Sequence, residues 1–193
     1  MPLLKREADL HPAELFELPL DEHPWWIVYV RSRQEKSLAR HLERSGVPFY
    51  LPQVEKRMRR QGRTYFSYHP LFSGYLFLRP RQEQRLTVWQ TRLLVNTIDV
   101  VDQQLLGGEL AQLHALEQQG ATLVPHPWIG PGDEVKITDG AFQGYRGLVI
   151  REKGQTRLVV SVTMLQKSIA VEFERDILAP ARPAPKTYAM GGR

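Results

Sequence analysis

The sequence predicts an α+β chain: a ferredoxin-like plait, with an antiparallel sheet and helices on one side, followed by a small all-β barrel. Three observations predict it. Over residues 25–120, short runs rich in aromatic and β-branched residues alternate with segments of helical period. Pro125, Pro127 and Pro131 then fall close together, the composition of a stiff linker. Beyond them the texture changes to short strands punctuated by glycines, which argues for a small barrel.

The elements follow in order. Residues 1–24 carry six acids against two bases and no long apolar run, so they read as an acidic tail and not as a secretory leader. "WWIVYV" is a strand by its aromatic and β-branched content. "RQEKSLARHLERSG" is a helix, with Leu38 and Leu42 on one face and Gly46 at the C-terminal cap. "VPFYLPQVEKRMRR" is a second strand that runs into a basic turn at Gln61-Gly62. "TYFSYHPLFSGYLFLR" is a third, broken between Pro70 and Gly74. A second helix opens after Pro80, with Leu86, Trp89 and Leu93 as one face. "LVNTIDVV" is a fourth strand. "GGELAQLHALEQQG" begins as a turn and continues as a third helix striped by Leu110, Leu113 and Leu116. This β-α-β-β-α-β order is that of the ferredoxin-like plait. The domain plan is then a tail at 1–24, the plait at 25–120, a linker at 121–130, the barrel at 131–180 and a loose tail at 181–193. The barrel strands are "DEVKIT", "GYRGLVIRE", "TRLVVSVT" and "SIAVEFER".

The third strand raises a question of cover. In "YLFL", Tyr75 and Phe77 point one way and Leu76 and Leu78 the other, so both faces are apolar. Helices on one side bury one face and leave the second without cover from the chain itself.

Composition narrows the function. Hydrophobic residues make up 42%, too many for a disordered chain, and no apolar run approaches the ~18 residues that cross a bilayer. The absence of cysteine removes disulfides and thiolate metal sites and is compatible with the cytoplasm. The six histidines have no pair at metal-ligand spacing, and no nucleophile, base and orienting acid can be grouped. The expectation is a non-enzymatic protein with no catalytic residue, metal or cofactor. Charge is uneven: residues 25–95 hold fourteen bases and four acids, whereas residues 96–193 hold ten and eleven. The densest element is "EKRMRRQGRTY", where Lys56, Arg57, Arg59, Arg60 and Arg63 surround a turn and Tyr65 and Phe66 follow. Arginines at a hairpin tip reach phosphates, and nearby aromatics stack on unpaired bases.

The segment "PGDEVKITDGAFQGYRGLVI" resembles the KOW motif, and that resemblance makes the barrel SH3-like. With "WWIVYV" and "LFSGYLFLR" ahead of it, the chain resembles the NusG family of transcription elongation factors over roughly residues 25–180. The order of "HPLFSGYLF" and "TDGAFQG" is similar to specialised members of the RfaH type, because Ser73 stands where general members carry proline. The resemblance implies that an apolar surface formed by Trp25, Phe72 and Tyr75, with Gly74 keeping the chain close, docks on the clamp helices of the largest RNA polymerase subunit. It also implies that the basic tip faces upstream or non-template DNA, and that Phe142, Met164 and Leu165 meet a small-subunit ribosomal protein or Rho. The expected particle is a cytoplasmic monomer with no membrane contact that suppresses pausing or termination on particular operons. The competing reading is an RNA-binding, ribosome-associated KOW protein, for which the apolar patch would have no use.

Overall fold

The computed structural model describes residues 5–128, 135–136, 144–152 and 155–172. Among these, three antiparallel sheets and three α-helices form a mixed α/β fold. The chain runs through β1 (Leu10–His11), a 3-10 turn (Leu15–Glu17), β2 (Trp26–Val30), α1 (Glu35–Arg44) and β3 (Phe49–Tyr50). A two-stranded ribbon follows, β4 (Gln53–Arg60) with β5 (Arg63–Pro70), and then β6 (Tyr75–Leu78), α2 (Gln84–Gln90), β7 (Leu94–Ile98) and α3 (Gln103–Gln118). The remainder is β8 (Thr122–His126), β9 (Val135–Lys136), β10 (Arg146–Glu152), β11 (Gln155–Val162), a 3-10 turn (Thr163–Leu165) and β12 (Lys167–Glu172). The first sheet has the order β1-β3-β6-β2-β7 and the second β8-β12-β11-β10-β9.

Alternation sorts the first sheet into two faces. Trp26, Val28 and Val30 of β2, Leu76 and Leu78 of β6 and Phe49 of β3 form one core with Leu38, Ala39 and Leu42 of α1 and Val88 of α2. Ile27, Phe77 and Tyr50 turn the other way. That second face is not left open, contrary to the expectation from sequence. Helix α3 lays Leu106, Leu110, Leu113 and Leu116 into the same cluster, joined by Leu15 from the N-terminal segment. All five are fully buried. The spacing of the four leucines is that of one helical stripe, and burying each contributes about 1.5–3 kcal/mol. The cluster also holds Leu158, Val160 and Val162 of β11 with Ile169 and Val171 of β12. One helix therefore serves two sheets.

Hydrogen bonds fasten that seam. Gln112 donates to the Arg146 carbonyl at 2.6 Å and accepts from its N–H at 2.9 Å. Thr163 donates to the Glu109 carboxylate from its N–H at 3.1 Å and its hydroxyl at 2.5 Å. Gln119 donates to the Tyr145 hydroxyl at 2.7 Å.

Four further expectations need correction. Helix α2 buries Val88, while Leu86 and Trp89 are 64% and 45% exposed. The helix stops at Gln90, and Arg92 takes a φ of 56°, so Leu93 never completes the stripe. The glycines of "GGEL" stand inside α3, which starts earlier because Asp102 caps it by accepting from the Leu105 N–H at 2.8 Å. Residues 122–126 are a strand of the second sheet and not a linker: Leu123 faces Val171 and Pro125 faces Ile169. Proline is tolerated there because β8 lies at the sheet edge. The acidic N-terminal segment, expected as a tail, is tied to the first sheet. Arg79, itself 1% exposed, donates to the carbonyls of His23 at 2.8 Å, Leu15 at 2.7 Å and Leu18 at 2.6 Å, with its guanidinium 5.0 Å from the Trp25 ring. Among the described residues no helix is long and apolar enough to cross a membrane.

Candidate functional site

The residues expected to form an apolar docking patch lie along the second face of the first sheet, but they differ in depth. Trp25 and Phe72 are each 3% exposed and belong to the core. Phe72 meets Phe77 edge-on with ring centroids 5.5 Å apart. Trp25 sits between Phe16, at 5.8 Å, and α3, where Gln103 accepts from the Trp25 N–H at 2.6 Å and donates to its carbonyl at 3.0 Å. Helix α3 covers Trp25, whose indole lies against Gly107, and Phe72 joins the same buried cluster. Gly74 is buried and adopts a φ of 86°, which favours glycine. Its N–H donates to the Glu35 carboxylate at 2.8 Å and its carbonyl accepts from Val30 at 2.8 Å. A side chain at this position would meet the Tyr29 ring at 2.7 Å.

Tyr75 is half-buried and lies opposite Tyr29 in the ladder, their rings 5.2 Å apart. Tyr29 is 41% exposed. This pair is the part of the second face that α3 leaves uncovered. Tyr29 did not stand out in the sequence, although alternation along "WWIVYV" puts it on the face of Ile27, and so beside Tyr75.

The basic residues are gathered on the β4–β5 ribbon. A two-residue turn at Gln61 and Gly62, with φ of 49° and 74°, sets Arg60 opposite Arg63 and therefore Arg59 opposite Thr64, Arg57 opposite Phe66 and Lys56 opposite Ser67. Lys56, Arg57, Arg59 and Arg63 are exposed. Arg57, Arg59 and Arg63 make no hydrogen bond or salt bridge among the described residues, so their guanidinium groups are available to an anion.

A family profile described as "Transcription termination factor nusG" matches residues 23–119, half of the 193-residue chain. The chain belongs to the NusG family. Members of this family are non-enzymatic transcription elongation and termination factors that work with RNA polymerase, and that general role is this chain's as well. Among solved structures it is similar to one titled "Domain interaction in Thermotoga maritima NusG", at 18% identity over 79% of this chain and 94% of that one, with a TM-score of 0.46.

In this NusG-family chain, Met164 and Leu165 occupy a 3-10 turn and are half-buried against the cluster shared by α3 and both sheets. Phe142 lies outside the described residues. A groove of about 780 Å³ runs between α3 and the second sheet, but its Glu109, Gln112, Arg146 and Thr163 are paired with one another across it, so it is a seam. At the far end of α3, Tyr50 donates to Glu117 at 2.8 Å. Burial pushes Glu117 up to about 7 and raises the Tyr50 hydroxyl well above the usual range. His114 stacks on Phe16 at 5.3 Å and is pulled down by burial. Among the described residues no His, Asp or Glu group is placed to hold a metal ion.

Proposed function

We propose that this chain is an operon-restricted NusG-family factor of the RfaH type. It docks on the clamp helices of the largest RNA polymerase subunit, suppresses pausing and termination, and recruits a small-subunit ribosomal protein or Rho. In this reading β2, β3, β6 and β7 with α1 and α2 are the ferredoxin-like plait, whose strand order theirs matches, and the second sheet belongs to the SH3-like KOW barrel. Ser73 between Phe72 and Gly74 favours the specialised branch. The observation that carries the docking is the Tyr29–Tyr75 pair, two adjacent rings at the point where cover of the sheet stops. Exposed aromatic anchors of this kind dominate protein interfaces. Trp25 and Phe72 support the surface from beneath, and Gly74, pinned by Glu35, leaves the space that the Tyr29 ring occupies beside it. Lys56, Arg57, Arg59, Arg60 and Arg63 face upstream or non-template DNA, while Met164 and Leu165, with Phe142, meet the second partner. The factor acts in the cytoplasm as a monomer.

Tyr75→Ala tests the docking. Affinity for an isolated clamp-helix fragment is expected to fall about thirtyfold, or ~2 kcal/mol, with only a small change in melting temperature. A large drop in melting temperature, with normal affinity in what remains folded, would remove Tyr75 from the interface.

A further inference from the structure

Among the described residues the largest fully buried side chain is a cation, Arg79. Its bonds to the carbonyls of Leu15, Leu18 and His23 use three of the five N–H groups of a guanidinium. Arg79 forms no salt bridge among the described residues. The acids of the N-terminal segment are spent elsewhere, Glu7 on Arg40 and Glu22 on Arg81. Burial pulls the Arg79 guanidinium below its usual range, and no acid offsets it. A cation held in such a setting strongly favours an incoming anion.

Arg79 also lines a pocket of about 240 Å³ between the N-terminal segment and α3. Phe16, Leu18 and Leu20 come from the segment, and Gly107, Gly108 and Ala111 from the helix. Trp25 lies between them. A Cβ on Gly107 would stand 2.8 Å from the Trp25 Nε1, so the bare glycine keeps that N–H clear. The indole N–H makes no hydrogen bond among the described residues. Adjacent glycines weaken a helix, and here they leave one wall of the pocket low.

We propose that this pocket binds a small aryl carboxylate, with its ring against Phe16 and Leu20 and its carboxylate at the Trp25 indole N–H, facing the Arg79 charge. The sign of the charge follows from the lining, in which Arg79 is the one charged residue. Little water lies between a buried guanidinium and such a carboxylate, so their attraction is weakly screened. The size follows from the volume, which is below that of pockets for drug-sized ligands and suits one ring on a short acid. The ring follows from Phe16 and Trp25, whose centroids are 5.8 Å apart at a tilt of 45°; a third ring packs into such a corner edge-on or offset. A phosphate would be poorly served, because the Gln103 amide is already engaged by Trp25 and Val100 and the walls are apolar. The site shares only Trp25 with the proposed docking surface and does not depend on that reading. A bound acid would touch the N-terminal segment and α3 together and fasten the segment over Trp25.

The test uses the full chain, with thermal melts and titration calorimetry against phenylacetate, phenylacetamide, acetate and octanoate. Phenylacetate is expected to raise the melting temperature in a saturable way. Phenylacetamide has the same shape without the charge and is expected to bind at least about tenfold more weakly. Acetate, which lacks the ring, should not bind. Ala111→Leu lengthens a side chain on the α3 wall with little change in helix propensity. It is expected to weaken phenylacetate binding at least about tenfold while the melt of the free protein stays close to the parent's. Should that variant melt early, the comparison of acid with amide on the parent chain still decides. Equal affinity for acid and amide would mean that the Arg79 charge takes no part and overturns the proposal. Normal phenylacetate binding by a well-folded Ala111→Leu puts the ligand elsewhere and overturns it too. So does the absence of saturable phenylacetate binding up to about 10 mM. Octanoate bound more tightly than phenylacetate overturns the aryl assignment in favour of an acyl chain.

Discussion

Glu117 carries a carboxyl into the layer between α3 and the first sheet, where burial moves it from 4.5 to about 7. Folding therefore favours its protonated form. The stability this confers is complete below about pH 4.5 and is lost as pH rises through 7, a swing of about 3 kcal/mol for a shift of this size. His114 works the other way, because burial lowers its pKa, so its contribution grows as pH rises toward and past the ordinary histidine value of about 6.5. Comparison with a variant is therefore more informative than the absolute slope. Glu117→Gln keeps an acceptor for Tyr50, and its stability is expected to fall less than the parent's between pH 5 and 8, with a higher melting temperature at pH 8. Parallel pH profiles for the two proteins would place the titration elsewhere. At this scale the sequence was partly legible. Leu110, Leu113 and Leu116 announced a buried stripe by spacing alone. The depth of Trp25 and Phe72 was not legible, because a residue's place on a sheet face says nothing of what lies over that face.

Helix α3 shows how the same limit acts on an element. Its leucine stripe is written in the sequence, but its start was hidden by two adjacent glycines that look like a turn. Asp102 overrides them by capping the helix one turn earlier. The glycines are not equivalent. A Cβ on Gly107 would stand 2.8 Å from Nε1 of the buried Trp25, whereas one on Gly108 meets nothing within 4 Å. Alanine in a helix is normally worth about 1 kcal/mol over glycine. Gly108→Ala is expected to gain about that amount in chemical denaturation, and Gly107→Ala to gain nothing or lose stability by displacing the Trp25 ring. Equal gains at both positions would mean that the indole moves aside freely. The ribbon was more legible, because a Gln61-Gly62 turn fixes its register residue by residue. The strand at 122–126 was misread, since its two neighbouring prolines carry the composition of a linker and only its pairing with β12 reveals the edge.

For the whole molecule, the second sheet begins at β8, before the point where the glycine-punctuated strands start. A fragment of residues 121–182 keeps Leu123 against Val171, while one of residues 128–182 leaves β12 without its outer partner. The longer fragment is expected to melt cooperatively and at a higher temperature than the shorter. Identical melts would make β8 peripheral. At the other end of the chain, the family match begins at residue 23, yet Arg79 ties itself to carbonyls at Leu15, Leu18 and His23, from 56 to 64 residues earlier. Such contacts bear on the order of assembly. The β4–β5 ribbon needs only neighbouring residues and can form early, whereas contacts across a long separation require closure of a large loop and come slowly. During synthesis the acidic segment is made well before Arg79 and must wait for it before the carbonyls of Leu15, Leu18 and His23 find their donor. A segment made early is thus among the last to be fully fixed in place.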